Sequence, residues 1–305
     1  MEYSFVFVCQ RGSLEVKSML LAASLKRQLR CEHELVAAIP VPQERWGRPA
    51  AGTLAFLESL GARVVTISNR FDSDYPIGNK VSCLDIATDA DMRIFMDSDI
   101  LASQPFPGLI SPGSLKMQAP FGAVPADMDR FGASDAIWAL IYESQNLAPP
   151  VERMHATVSG QAMLPYFNAG FIAVQSRIDF AATWLRICRE IDGDPRIINK
   201  RPWLDQIALP VAVKYLDLDY VALDQRHNYP AHLKPVGPDP LPYFVHYHNQ
   251  KVLSASPMLR SLVLELAAEH PQLKDAMRAD RKWRRLLRPT VADIFARVRR
   301  FGSTP

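Results

Sequence analysis

The first hundred residues hold the pattern that most restricts the fold. Short runs of β-forming residues (Tyr3 to Cys9, His33 to Ile39, Arg63 to Ser68 and the apolar run Ile94, Phe95, Met96) alternate with longer stretches of helical periodicity. Leu14, Leu21, Leu25 and Leu29 recur at helical intervals after a plausible N-cap at Ser13. A second helix is expected over Ala50 to Leu60, stopped by Gly61, and a third from Asn79 to about Thr88. Strands that alternate with helices form β-α-β units around a mostly parallel sheet, so the chain is read as α/β with a Rossmann-like N-terminal half. Pro40 and Pro42 are expected to end the second strand.

Beyond residue 102 the pattern changes. Pro and Gly become dense between Pro105 and Pro125, and strand-like runs (Met117 to Val124, Gly170 to Gln175) are separated by helices expected over Ser134 to Leu147 and Ile178 to Ile191. Residues 202–213 and Pro257 to Glu269 read as further helices, with short strands at Tyr220 to Leu223 and Tyr243 to Tyr247. The expected organisation is one domain over residues 1–255, its halves 1–102 and 103–255 sharing a central mixed sheet. A helical, basic segment over 256–305 follows.

RIFMDSDIL, residues 93–101, runs a buried strand into two carboxylates. Like charges two residues apart repel, and burial of either one unpaired is costly, so a divalent cation is the simplest partner that favours both. Asp-x-Asp occurs six times in the chain, at Asp72/Asp74, Asp89/Asp91, Asp97/Asp99, Asp127/Asp129, Asp192/Asp194 and Asp217/Asp219. Only Asp97/Asp99 follows a compact apolar strand and precedes another apolar pair. In an open α/β sheet, ligands bind outside the carboxyl ends of the strands, which is where this pair falls.

Four stretches in order, RIFMDSDIL, YFNAGFIAV, WLDQIAL and FVHYHNQK, resemble the nucleotide-sugar-dependent glycosyltransferases of the GT-A fold. They are most similar to the retaining family 8 type that includes glycogenin and bacterial lipopolysaccharide galactosyl- and glucosyltransferases, over residues 3 to about 251. The resemblance implies a UDP-sugar donor, a saccharide or glycolipid acceptor, and Mn²⁺ or Mg²⁺ held by Asp97, Asp99 and His246. His248 remains open as the alternative ligand. It further implies that Asp205 meets sugar hydroxyls and that Gln206 acts electrostatically beside the anomeric carbon. Asp97, bridging metal and ribose, and Ser98 would contact the nucleotide-sugar. Asn168, Ala169 and Gly170 would line the donor sugar, Gln10 and Arg11 the nucleotide, Asn79 and Lys80 the sugar or diphosphate, and Lys251 the diphosphate. Ile207 stands where the family's second Asp falls, and Lys251 is on shifted spacing.

Two other readings use the same residues. A non-catalytic nucleotide-sugar-binding relative would tolerate Ile207 and the shifted lysine. A haloacid-dehalogenase-like phosphatase also carries Asp-x-Asp after an apolar strand, but at the end of the first strand and followed by Gly or Thr. Here about ninety residues come first and Ile100 follows.

Charge and targeting complete the expectations. Residues 271–305 carry ten Lys or Arg against three Asp, a surplus larger than the +3 of the whole chain, so the remainder is net acidic. Nucleic acid is not an expected partner. Trp283, Leu286, Leu287, Val291, Ile294, Phe295 and Val298 fall at helical intervals among basic residues, which fits either a docked terminal helix or attachment to an anionic membrane surface through residues 281–300. Cys9, Cys31, Cys83 and Cys188 are expected as buried thiols. With no signal peptide or membrane-spanning run expected, the location is read as cytoplasmic, with a peripheral membrane option.

Overall fold

A computed structural model describes residues 1–71, 75–109, 119–131, 135–237 and 241–288. The chain opens with β1 (Tyr3–Val8), α1 (Ser13–Gln28), β2 (His33–Val41), α2 (Gln43–Trp46), α3 (Ala51–Ser59), β3 (Ala62–Ser68), α4 (Gly78–Cys83) and β4 (Met92–Met96). It continues with β5 (Ile100–Ala102), β6 (Phe121–Pro125), α5 (Ala136–Glu143), β7 (Met154–His155), β8 (Ala162–Met163), β9 (Phe167–Gln175), α6 (Phe180–Gly193) and α7 (Leu204–Tyr215). Short strands β10 (Tyr220–Ala222), β11 (Tyr229–Pro230) and β12 (Phe244–His246) follow, then α8 (Gln250–Ala255), α9 (Pro257–Glu269), α10 (Pro271–Ala279) and α11 (Arg281–Leu286).

Seven strands form the central sheet in the order β10-β6-β9-β4-β1-β2-β3. β1 pairs in parallel with both β2 and β4, while β9 runs antiparallel between β4 and β6, so the sheet is mixed from that point on. Alternation along the strands sends side chains into two cores. Phe5, Phe7, Ile94 and Met96 pack with α1, α3 and α9 to α11 on one face; Val6, Val8 and Phe95 pack with α4 to α7 on the other. The chain turns outward in opposite directions on either side of β1. Strand order therefore reverses there, and the carboxyl ends of β1 and β4 border the crevice that such a reversal opens.

Several expectations need correction. β2 does not stop at Pro40 but continues to Val41, with Pro40 opposite Ile67. Its pairing with β1 ends at Ala38, so the imine nitrogen of Pro40 displaces no hydrogen bond on that side. The helix expected from Asn79 to Thr88 is only Gly78–Cys83 long. Gly12, at φ 92°, rather than Ser13, caps α1. Cys31 is half-buried, unlike the other three thiols. Gly61 does take the left-handed conformation expected of a helix-ending glycine, at φ 85°.

The terminal helices join the first core. Trp283 and Leu286 are buried, and the Trp283 ring meets Tyr247 edge-on at 6.2 Å. That part of the basic segment is a docked helix, with its apolar stripe turned inward. Met117, Ser134 and residues 289–305, including Val291, Ile294, Phe295 and Val298, lie outside the described residues. Among those described, no helix is long and apolar enough to cross a membrane.

Candidate active site

The site forms where β4 ends. The backbone N–H of Asp97 donates to the Gly170 carbonyl of β9 at 2.8 Å, and the Ile100 N–H closes a tight turn on the Asp97 carbonyl at 3.1 Å. Ser98, between the two acids, is buried and donates its hydroxyl to the Val8 carbonyl at the end of β1. The two aspartates are thereby fixed on one short bend.

His246 reaches them through strand register. β12 pairs antiparallel with β5, with His246 opposite Ile100 and Phe244 opposite Ala102. One step further, the Tyr247 N–H donates to the Asp99 carbonyl at 3.0 Å. His246 Nε2 consequently lies 3.1 Å from Asp99 Oδ1 and 3.9 Å from Asp97 Oδ2. The close approach needs a residue without a side chain on β9. A Cβ placed on Gly170 would come within 2.9 Å of both Cε1 and Nδ1 of His246.

Lys80 and Asp205 complete one side of the cluster. The Lys80 ammonium is 3.2 Å from Asp97 Oδ1 and 2.9 Å from Asp205 Oδ2, so one lysine bridges two acids. Asp205 sits in the first turn of α7 and its side chain is only 3% exposed. On the other side Lys17, from α1, meets Asp99 Oδ2 at 3.0 Å and the His248 carbonyl at 2.9 Å.

These contacts divide the acids electrostatically. Burial pushes the Asp97 carboxyl up, against the pull of Lys80 and His246. Burial works the same way on Asp99, but there His246 and Lys17 prevail and hold the carboxyl well below the usual range. His246 is raised: Asp99, then Asp97, outweigh the burial that disfavours its charge. Lys80 is likewise raised by Asp205 and Asp97 against burial. Burial, reinforced by neighbouring His246, lowers His248 to about 3.

Asp99, His246 and His248 each offer a ligand atom, and these atoms lie within 4.8 Å of one another. His248 adopts φ 55° just past β12, which folds its ring flat against His246 at 4.0 Å between centroids and 10° between planes. His232 stands 3.8 Å from the His248 ring. Carboxylate and imidazole donors around one point suit a divalent ion of the Mn²⁺ type.

Asn168 Oδ1 accepts from the Gly170 N–H at 2.8 Å and from Asn228 Nδ2 at 2.9 Å, which fixes the YFNAG bend; Ala169 is buried beside it. Asn79 is buried with neither amide atom hydrogen-bonded among the described residues, whereas its neighbour Lys80 enters the cluster. Gln10 and Arg11 follow β1 at its carboxyl end, and Arg11 packs against Gly47. Lys251 is exposed in α8 on the rim of a cavity of about 630 Å³ shared with His232 and Lys234. None of Gln10, Arg11, Gln206 or Lys251 joins the ion pairs of the cluster among the described residues. Ile207 is fully buried in the core under α7, in packing that would not admit a carboxylate.

Lys17 was not among the expected residues. Its signal was a charge three residues after Leu14 and four before Leu21, on the apolar stripe of a helix.

A mixed, doubly covered sheet with acids, a lysine and a histidine gathered at the switch point has the architecture of a GT-A-like glycosyltransferase. The chain belongs to the Rhodobacterales glycosyltransferase domain family, whose model matches residues 5–217, more than two thirds of the sequence. Its fold is similar to that of the glycosyltransferase GlyE of Streptococcus pneumoniae TIGR4. In the apo form the TM-score is 0.51 at 15% identity, with 90% of this chain and 62% of GlyE covered; a second GlyE structure gives 0.51 at 14%, covering 90% and 63%. The chain thus spans under two thirds of GlyE's length. Mouse xyloside xylosyltransferase 1 aligns at a TM-score of 0.46 and 12% identity over 81% of this chain and 97% of its own. No curated protein sequence matches the chain.

Proposed function

We propose that this glycosyltransferase moves a hexose from a UDP-sugar, such as UDP-glucose or UDP-galactose, to a saccharide or glycolipid acceptor with retention at the anomeric carbon, as the family 8 resemblance implies. The observation that supports a metal-dependent reaction is the convergence of Asp97, Asp99 and His246, brought together from two sheets and 147 residues of separation between Asp99 and His246. When bound there, Mn²⁺ or Mg²⁺ would supply Lewis-acid charge to offset the electron density gathering on a leaving diphosphate.

The chain's own groups provide the rest. Asp97, Asp99 and His246 would hold the ion, with His248, stacked on the His246 ring, as the alternative imidazole ligand. Lys80 supplies a fixed positive charge at the diphosphate end. Asp205, shielded from solvent, orients that ammonium and keeps it protonated. Gln206 in the same turn presents an amide dipole to the anomeric carbon, and the Asn168-Ala169-Gly170 bend shapes the sugar pocket. Gln10 and Arg11 at the end of β1 meet the nucleotide, and Lys251 approaches the diphosphate from the opposite rim.

Calorimetric titration with UDP, with and without Mn²⁺, tests the reading. UDP binding is expected to need the ion and to be lost in Asp99→Ala, with UDP-sugar hydrolysis by the wild type abolished in the same variant. Binding that is independent of metal and unchanged by the substitution would remove it.

A further inference from the structure

Lys17 occupies a place in this cluster that a helix facing a core would ordinarily give to an apolar residue, and its side chain retains only 13% exposure. Both carboxylate oxygens of Asp99 are engaged. Oδ2 accepts from the Lys17 ammonium at 3.0 Å and Oδ1 lies 3.1 Å from His246 Nε2. Any cation that takes Asp99 through Oδ2 therefore competes with an ammonium anchored a second time on the His248 carbonyl at 2.9 Å.

The charges sharpen this competition. Asp97, Asp99 and Asp205 are faced by Lys17 and Lys80, so the centre is one negative charge from neutral when His246 is uncharged. A dication alone would make it net positive and would crowd two ammonium groups. A diphosphate brings the compensating negative charge, and a lysine's flexible four-carbon stem allows its ammonium to move from a carboxylate to a phosphate oxygen.

We propose that Lys17 is a displaceable internal cation: it holds Asp99 in the nucleotide-free protein and passes to the donor's diphosphate when ion and nucleotide enter together. Metal and nucleotide binding are then interdependent, each strengthening the other by the same factor. This rests on the reading of the cluster as a cation and diphosphate site.

The test is Mn²⁺ binding to the full chain, followed by electron paramagnetic resonance of the free ion, with and without saturating UDP and with ion bound by UDP in buffer subtracted. The wild type is expected to bind Mn²⁺ at least about 10-fold more tightly with UDP than without it. In Lys17→Met the nucleotide-free affinity should rise about 10-fold and the strengthening by UDP should shrink by a similar factor, whereas Lys17→Arg keeps the wild-type pattern. Equal Mn²⁺ affinity of the wild type with and without UDP overturns the proposal without any variant. So does a Lys17→Met protein that binds Mn²⁺ no more tightly than wild type. Failure of the wild type to bind Mn²⁺ under both conditions instead removes the metal site itself, and Lys17's role with it.

Discussion

Asp97 and Asp99 are the same residue type, two positions apart on one bend, yet their surroundings differ. Asp97 shares a single lysine with the buried Asp205, while Asp99 has Lys17 to itself and His246 in contact as well. One carboxylate is under-compensated and pushed up by burial; the other is over-compensated and held low. The difference separates two tasks. In the proposed metal site, Asp97 would be the acid whose charge a bound cation stabilises, and Asp99 the fixed, ionised ligand aligned by the β5–β12 register.

The largest effect is expected where the shared lysine is removed. Lys80→Met leaves Asp97 and Asp205 facing each other in a poorly hydrated site, so the protein should lose about 3–5 kcal/mol of stability in urea unfolding. A loss within the error of the wild-type measurement would show that Lys80 does not bind the two sides together.

Next comes a direct contrast of the two acids. Asp99→Asn strands the Lys17 ammonium and should cost about 1–3 kcal/mol. Asp97→Asn removes a charge that its burial disfavours, and should leave stability unchanged or slightly higher while still abolishing Mn²⁺-dependent UDP binding. Equal stability losses for the two variants would break the asymmetry.

Gly170→Ala should have a smaller effect. Its methyl group pushes the His246 ring away from the acids, weakening Mn²⁺ binding by about 10-fold and lowering stability by about 1 kcal/mol. Unchanged Mn²⁺ affinity would indicate that His246 need not hold its present position.

The parallel half of the fold was legible in the sequence because its signal is local: each of β1 to β4 carries its own short run of β-forming residues, and a strand ending in Asp-Ser-Asp announces a site. The partners of that site were harder to read. β5 and β12 are three residues each, too short for a period, and their pairing joins segments more than 140 residues apart. His246 came from resemblance rather than from pattern, and Lys17 was hidden inside a stripe read only for its leucines. Pro40 misled because whether a proline ends a strand depends on the length of the neighbouring strand, which no local window records. Trp283 and Leu286 fitted a membrane-facing stripe and a docked one equally well until the core beside Tyr247 showed where they pack.

A crystal soaked with MnCl₂ and UDP, measured at the manganese absorption edge, puts the central claim to its most direct test. The account predicts an anomalous peak touching Asp97, Asp99 and the His246 ring, with the Lys17 ammonium moved off Asp99. A nucleotide bound with no such peak, or a peak that leaves both acids untouched, would contradict it.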